Sequence, residues 1–357
     1  MKPRRVPELD LLRFIAAVSV LIYHDTYRPA VNGTPSETLF GSMQLVSRFG
    51  YLGVTLFFLI SGFVILWTAQ GRTPAQFATS RFLRLYPSFW VAMLVTTAFL
   101  FWLAPSSSWP DAKTVLLNLT MLPGYAHVDF IDGVYWTLAV EMKFYFLVLI
   151  LIVARQMKHI EKWLGLWLIG LTACELSTGH AWIESITIYP FGSLFVGGCI
   201  LYLVHAEGWT VWRVAGLLWA VVLSCLDAVP QAKDFIHGVT GSGVLIAVAL
   251  VLVCFTAVTA VAIRSFKIGF SGLAIALGGL TYPLYLVHNR VGKLIFAATE
   301  EYMSAYWRLL LIVATSVAIA VLIVELVEKR GVSRLARTPP IRRLMGQTQV
   351  RPVVGEA

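Results

Sequence analysis

Apolar residues form long runs along almost the whole chain, and short polar stretches separate these runs. A helix needs about 20 residues to cross the roughly 30 Å hydrocarbon layer of a bilayer. Ten runs approach or reach that length, at about 9–25, 46–68, 86–104, 136–154, 163–178, 186–204, 211–229, 241–262, 272–296 and 308–326. We therefore predict an all-α polytopic membrane protein with about ten transmembrane helices.

The composition favours a membrane protein over a soluble one. Hydrophobic residues occupy 58% of the 357 positions and charged residues only 13%, which is too few to cover the surface of a soluble domain. The net charge of +9 does not indicate nucleic-acid binding, because the basic residues are scattered between apolar runs. Four cysteines within apolar runs are expected to act as small buried hydrophobes: Cys174, Cys199, Cys225 and Cys254.

The distribution of basic residues predicts the orientation in the membrane. Nineteen Lys and Arg residues fall in the N-terminus, alternate loops and the tail, against seven in the opposite loops and helix ends. Because cytoplasmic loops are enriched in Lys and Arg, we expect both termini in the cytoplasm. Residues 1–328 are expected to form the transmembrane domain and residues 329–357 a short basic cytoplasmic tail. The stretch 105–135 should be external, and it is a candidate lid or acceptor-binding loop.

The first apolar run, "LDLLRFIAAVSVLIYH", contains ionisable residues that lipid would not tolerate unpaired. Arg13 and His24 are eleven residues apart, which is three helical turns, so they share a helix face and lie ~16 Å apart along the axis. Asp10 lies one turn before Arg13 and can pair with it. Two structural explanations remain open at this point. Asp10 and Arg13 can form an interfacial ion pair, and His24 can cap the outer end of the helix.

Other runs supply polar residues at matching depths. In "WTLAVEMKFYF" Glu141 lies about two turns from the outer end, near the predicted level of His24. In "GLTYPLYLVHN" His288 reaches the same outer zone, whereas Tyr282 lies deeper, next to Pro283, which frees a backbone carbonyl. Two histidines and a glutamate could also bind zinc, although they lack helical ligand spacing. Tyr285 could simply pack in the interior.

A basic pair precedes the third run on the predicted cytoplasmic side. In "SRFLRLYPSFW" Arg81 and Arg84 lie three residues apart and share a helix face. Guanidinium groups match the geometry of phosphate oxygens, so this pair suits a phosphorylated ligand. Contact with lipid headgroups and ordinary enrichment of cytoplasmic charge are the alternatives.

Five segments in this order resemble the membrane-bound acyltransferase family 3. They span residues 9–288 and read "LDLLRFIAAVSVLIYH", "FGYLGVTLFFLISGFVI", "SRFLRLYPSFW", "WTLAVEMKFYF" and "LTYPLYLVH". The resemblance implies a bacterial inner-membrane protein of ten spans that moves acyl groups, often acetyl from acetyl-CoA, onto glycans such as lipopolysaccharide or exopolysaccharide. It also implies roles for individual residues. The expected catalytic residues are His24, Glu141 and Arg13, the expected cofactor-binding residues are Arg81, Arg84 and Arg13, and the expected substrate-binding residues are His288, Tyr285 and Tyr282.

The resulting hypothesis is an acyl-CoA-dependent O-acyltransferase in the bacterial cytoplasmic membrane. Acyl-CoA, a co-substrate rather than a permanently bound cofactor, would place its phosphates on Arg81 and Arg84. His24 would act as general base on a glycan hydroxyl, with Glu141 orienting its ring. A covalent acyl-histidine remains the variant mechanism. No metal and no nucleic acid are expected, and the partners are the acyl donor, a glycan or lipid-linked glycan acceptor and the bilayer. The alternatives are a transporter or flippase for a polysaccharide precursor and an inactive membrane scaffold.

Overall fold

The structure, a computed structural model, describes residues 6–28, 39–176 and 181–345. The described residues form helices and connecting turns and contain no strand. The helices are α1 Pro7–Ile22, α2 Met43–Ser47, α3 Gly53–Ala69, α4 Pro74–Leu103, α5 Ala112–Asn118, α6 Trp136–Val153, α7 Ile160–Leu176, α8 Ala181–Thr187, α9 Gly192–Glu207, α10 Val211–Phe235, α11 Gly241–Ala262, α12 Ser271–Ala298, α13 Ala305–Ile323, α14 Ser333–Arg337 and α15 Pro339–Leu344. Two π-helical segments, Tyr23–Tyr27 and Val324–Val332, extend α1 and α13.

All ten predicted runs overlap these helices, so the all-α prediction is confirmed for the described residues. Within the part of the chain that the structure describes, seven helical stretches are long and apolar enough to cross a membrane: Met43–Ala69, Pro74–Leu103, Gly133–Val153, Ala181–Glu207, Val211–Phe235, Gly241–Ala262 and Ala305–Arg337. The other three predicted spans fall on α1 and α7, which have 16 and 17 residues, and on α12, which carries several polar residues. The count of ten and the cytoplasmic location of both termini stay predictions.

Local sequence signals explain where α4 begins. Thr73 caps its first turn, because the Thr73 hydroxyl accepts a hydrogen bond from the backbone N–H of Gln76 at 3.3 Å. The Gln76 side chain accepts one in return from the Thr73 N–H at 3.1 Å. Pro74 is the first helical residue, where a missing N–H costs nothing. This capping box fixes the start of the helix that carries Arg81 and Arg84.

Helix α12 packs against α13 and against α1 and α4, which carry Arg13, Arg81 and Arg84. Gly278 allows α1 to approach, since a Cβ at Gly278 would lie 2.5 Å from the Cβ of Asp10. Helix α12 also continues through Pro283 without a break. A proline inside a helix leaves the carbonyl four residues earlier without its usual donor, and here that residue is Gly279.

The predicted lid or acceptor loop, 105–135, contains α5 and several short 3₁₀ turns. Its end is fixed to α12 by Asp132, which is fully buried. One Asp132 carboxylate oxygen accepts a hydrogen bond from the Asn289 side chain at 2.5 Å, and the other accepts one from the Arg290 N–H at 2.8 Å. The loop therefore reaches the helix that carries His288. Its external location stays a prediction.

The predicted basic tail, 329–357, lies partly outside the described residues. Its described part is helical and comprises the end of the π-helical segment, α14 and α15. The residue just before it, Glu328, contacts α4 through Ser88 and Arg84. The start of the tail is therefore packed against the helix that carries the predicted phosphate-binding arginines.

Candidate active site

A cavity of about 600 Å³ lies between α1, α3, α4, α6 and α12, and we call it the inner cavity. This size suits a small-molecule ligand. Four arginines and three carboxylates are among its lining residues, which include Asp10, Arg13, Ser61, Arg72, Arg81, Arg84, Glu141, Tyr145, Tyr282, Tyr285 and Glu328. Every arginine predicted to bind the donor therefore faces one cavity.

Aromatic rings and single carboxylates hold these guanidinium groups. Arg84 lies over the ring of Tyr282 at 5.5 Å and pairs with Glu328 at 3.6 Å. Arg81 lies 5.8 Å from the ring centroid of Tyr145. The Arg84 side chain is 41% exposed. A guanidinium carries five N–H donors, and stacking uses none of them. Arg81 and Arg84 can therefore still donate to an anionic ligand.

The other two arginines of the inner cavity add positive charge to it. Arg13 pairs with Asp10 at 3.7 Å, as the sequence predicted. Arg72 lies in the loop between α3 and α4, where burial and the nearby Arg81 guanidinium lower the pKa of its side chain. Like charges held close together disfavour the charged form. An anion bound between these groups would relieve that repulsion.

Glu141 lies in the inner cavity with the arginines. Its Oε1 atom accepts hydrogen bonds from the Ser61 hydroxyl at 3.0 Å and from the Tyr145 hydroxyl at 2.8 Å. The prediction that Glu141 orients the ring of His24 is not supported by this arrangement, because His24 lines a different cavity. The carboxylate is satisfied by two hydroxyl groups, one from α3 and one from its own helix.

A second cavity of about 260 Å³, the outer cavity, contains His24. Several aromatic rings line it together with a few polar side chains, among them Tyr23, Arg28, Tyr51, Trp136, Gln231, Phe235, Tyr285, Asn289 and Lys293. His24 belongs to the π-helical segment that extends α1. Its Nδ1 atom is buried and has no hydrogen-bond partner among the described residues.

The ring of His288 packs next to the ring of His24. The two ring centroids are 5.3 Å apart. His288 is only 1% exposed, and it is not on the wall of either cavity. Its Nδ1 atom lies 2.8 Å from the carbonyl oxygen of Tyr285, which can only accept a hydrogen bond. The predicted direct contact of His288 with a substrate does not fit this burial, whereas support of the His24 ring does.

The two cavities adjoin. Val54 and Tyr285 line both of them, and the Tyr285 hydroxyl lies 2.9 Å from the Thr137 hydroxyl. Arg13 faces one cavity and His24 the other, although both belong to the same continuous helical segment. One helix therefore connects an arginine-rich site with a histidine-containing site.

Comparison with known proteins identifies the family. The family described as "Acyltransferase domain" (acyltransferase 3) matches residues 6–325. The chain belongs to the acyltransferase 3 family. The resemblance predicted from the five segments is thereby confirmed. This acyltransferase is also 25% identical to the acyltransferase MdmB of Streptomyces mycarofaciens over 385 aligned positions, which cover 96% of each chain. No solved structure matches it.

Several residues that line the two cavities were not singled out from the sequence. Glu328 pairs with Arg84 from a position 244 residues later in the chain, and sequence spacing gives no hint of this contact. Arg28 and Lys293 are two of the seven basic residues counted above in the opposite loops and helix ends, and both line the outer cavity. A lysine within the apolar run of α12 was the available signal. Among the described residues, no group of three His, Cys, Asp or Glu side chains could hold a metal ion.

Proposed function

We propose that this protein is an integral membrane O-acyltransferase of the bacterial cytoplasmic membrane. It would transfer an acyl group, with acetyl expected, from cytoplasmic acyl-CoA to a hydroxyl of a cell-surface or exported glycan. One observation supports the proposal above all: an arginine-rich cavity adjoins a histidine-containing cavity at Val54 and Tyr285. The donor could therefore bind in one cavity and the acceptor in the other, with their reacting groups meeting where the cavities adjoin.

The donor is proposed to occupy the inner cavity. Its phosphates would accept hydrogen bonds from Arg81, Arg84 and Arg13, because guanidinium forks match phosphate oxygens. Arg84 and Arg81 are held by aromatic rings and keep free donors. The thioester end would pass Tyr285 toward His24. Glu141 would then act by fixing Ser61 and Tyr145 around the donor.

The acceptor is proposed to occupy the outer cavity, with His24 as general base. Neutral His24 would take the proton of the sugar hydroxyl while the hydroxyl oxygen attacks the thioester carbonyl carbon. Collapse of the tetrahedral intermediate would break the C–S bond and form the ester. The imidazolium would return its proton to the departing thiolate, which leaves as CoA. The acyl-histidine route uses the same residue as nucleophile instead.

Two linked experiments test the proposal. Mass spectrometry of surface glycans from cells with and without the gene should show an acyl group only when the gene is present. His24→Ala should remove that group, because loss of a general base costs ~10²–10⁴-fold in rate, while the protein stays in the membrane. The matched control is His159→Ala, at an exposed histidine in the turn before α7. An unchanged acyl pattern, with a glycan precursor crossing the membrane without consumption of acyl-CoA, would favour a transporter or flippase.

A further inference from the structure

The wall of the outer cavity carries two cationic side chains and no carboxylate. Arg28, at the end of the first helical segment, and Lys293, on α12, both line it. Both are half-buried. Neither forms an ion pair among the described residues. The Nε atom of Arg28 is buried without a hydrogen-bond partner in the described part of the chain.

Two aspartates, Asp132 and Asp25, act electrostatically on Lys293 but form no salt bridge with it and do not line the cavity. Asp132 lies behind the wall, and its oxygens accept hydrogen bonds from Asn289, Arg290 and Val134. Asp25 is 2% exposed, and its Oδ1 atom lies against α12, 2.6 Å from where a Cβ of Gly292 would be. Neither aspartate lines the cavity. Among the described residues, the charged side chains on the wall of the cavity are therefore both cationic.

Arg28 and Lys293 are partly buried and form no salt bridge among the described residues, which is costly in a membrane protein. An anionic ligand would remove that cost and would gain charge-assisted hydrogen bonds. The remaining wall suits a sugar ring, because it offers flat aromatic surfaces and a few amide groups. The rings of Tyr51 and Phe235 stack at 4.9 Å and 17°. Gln231 and Asn289 add side-chain donors and acceptors.

We infer that the acceptor is an anionic sugar, carrying a carboxylate or a phosphate that binds Lys293 and Arg28 while its hydroxyl faces His24. This inference rests on the proposed function and deepens it by naming the class of acceptor. Lys293 is assigned here to recognition of the acceptor's charge. Substitution of Lys293 should therefore weaken the binding of charged sugars and leave the binding of neutral sugars nearly unchanged.

The test uses the full-length protein in lipid nanodiscs and measures sugar binding by saturation-transfer NMR. The probes are methyl α-glucuronide, glucose 6-phosphate and the neutral methyl α-glucoside. The wild-type protein should bind at least one anionic probe about tenfold or more tightly than the glucoside, as a charge-assisted hydrogen bond allows. The uronide and the phosphate arms then distinguish the two kinds of anion.

Variants at Lys293 complete the design. Lys293→Gln should abolish the preference for the anionic probe and leave glucoside binding within about threefold, whereas Lys293→Arg should keep the preference. Lys158→Gln, at an exposed lysine in the turn before α7, is the matched control and should change nothing. Equal binding of charged and neutral probes by the wild type, or binding of none, would overturn the inference. So would an equal loss for both probes in Lys293→Gln.

A parallel measurement separates this inference from the proposed function. Acetyl-CoA binding by the same preparations is measured by calorimetry, with Arg84→Ala as the comparison. If acetyl-CoA binds in an Arg84-dependent manner but the sugars show no charge preference, only the acceptor inference fails. If acetyl-CoA does not bind, the proposed function itself fails, whatever the sugars do.

Discussion

His24 and His288 lie with their ring centroids 5.3 Å apart, but His24 lines the outer cavity and His288 lines neither the inner nor the outer cavity. His288 is enclosed by protein, and its Nδ1 atom is directed at the Tyr285 carbonyl oxygen. The same Tyr285 lines both cavities through its side chain. The two histidines are therefore expected to differ in role, His24 reacting and His288 positioning His24 and Tyr285.

Substitution of His288 should separate these roles. Asn can replace the hydrogen bond of Nδ1 to the Tyr285 carbonyl, whereas Ala cannot. We expect His288→Asn to retain acyl transfer within about tenfold of the wild type and His288→Ala to lose more, since Ala removes this hydrogen bond and leaves a cavity beside the ring of His24. Acyl transfer measured as CoA release, together with the melting temperature of each variant, checks this. If His288→Asn is as inactive as His24→Ala at an unchanged melting temperature, the positioning role is wrong.

Several residues of the candidate site could be predicted from the sequence, because the pattern that marks them is local. Ionisable residues inside apolar runs marked Arg13, His24, Glu141 and His288, since lipid makes such residues costly. The helical spacing of Asp10 and Arg13 predicted their ion pair, which the structure contains. These predictions needed only the position of a residue within its own helix.

The cavity that Glu141 faces could not be predicted from its position along the helix. Counting turns from Trp136 put Glu141 near the level of His24. Depth along one helix does not give the tilt of that helix or the direction of the side chain. In the structure Glu141 faces Ser61 of α3 and lines the inner cavity. The contact of Glu328 with Arg84 and the shared cavity of Arg28 and Lys293 depend likewise on how distant helices pack.

This corrected location of Glu141 makes a kinetic prediction. A carboxylate that orients a general base changes the pH dependence of the rate when it is neutralised. Glu141→Gln should instead keep the midpoint of the pH–rate profile, because Glu141 and His24 line different cavities. It should raise the KM for acetyl-CoA by disturbing Ser61 and Tyr145. A shifted pH midpoint at unchanged KM would restore the pairing of Glu141 with His24.

Arg84 is expected to act on donor binding rather than on the chemical step. Arg84→Ala should raise the KM for acetyl-CoA about tenfold or more, because it removes a charge-assisted contact with phosphate, and kcat should change little. Steady-state kinetics over a range of acetyl-CoA concentrations checks this. Arg334→Ala, at an exposed arginine of α14, is the matched control. A lower kcat at unchanged KM would show that Arg84 does not bind the donor.

Substitution of Glu328 should lower the KM for acetyl-CoA, whereas substitution of Arg84 should raise it. Its carboxylate pairs with Arg84 at 3.6 Å and accepts a hydrogen bond from the Ser88 hydroxyl at 3.1 Å. It therefore competes with an incoming phosphate for the guanidinium. Glu328→Gln keeps the hydrogen-bond acceptor for Ser88 but removes the charge, so the KM for acetyl-CoA should fall a few-fold at low ionic strength and less at high salt. An increase in KM would indicate that Glu328 holds Arg84 in its binding orientation instead.

The contact between α3 and α9 depends on two glycines, one of which is next to Ser61. A Cβ at Gly198 would lie 2.0 Å from the carbonyl oxygen of Leu59, and one at Gly62 would lie 2.2 Å from that of Phe195. Both obstacles are backbone atoms, so the helices must separate to accept a side chain. Gly198→Ala should therefore destabilise the protein by about 1–3 kcal/mol, measured as a lower melting temperature in detergent.

The position of Gly198 on α9 distinguishes stability from activity. Gly62 is next to Ser61, which hydrogen-bonds Glu141, whereas Gly198 lines neither cavity. Below its melting temperature Gly198→Ala should keep the KM for acetyl-CoA, while Gly62→Ala should raise it. Gly272→Ala is the control, since a Cβ there meets no atom within 4 Å. An unchanged melting temperature for Gly198→Ala would mean that α3 and α9 are not packed this closely.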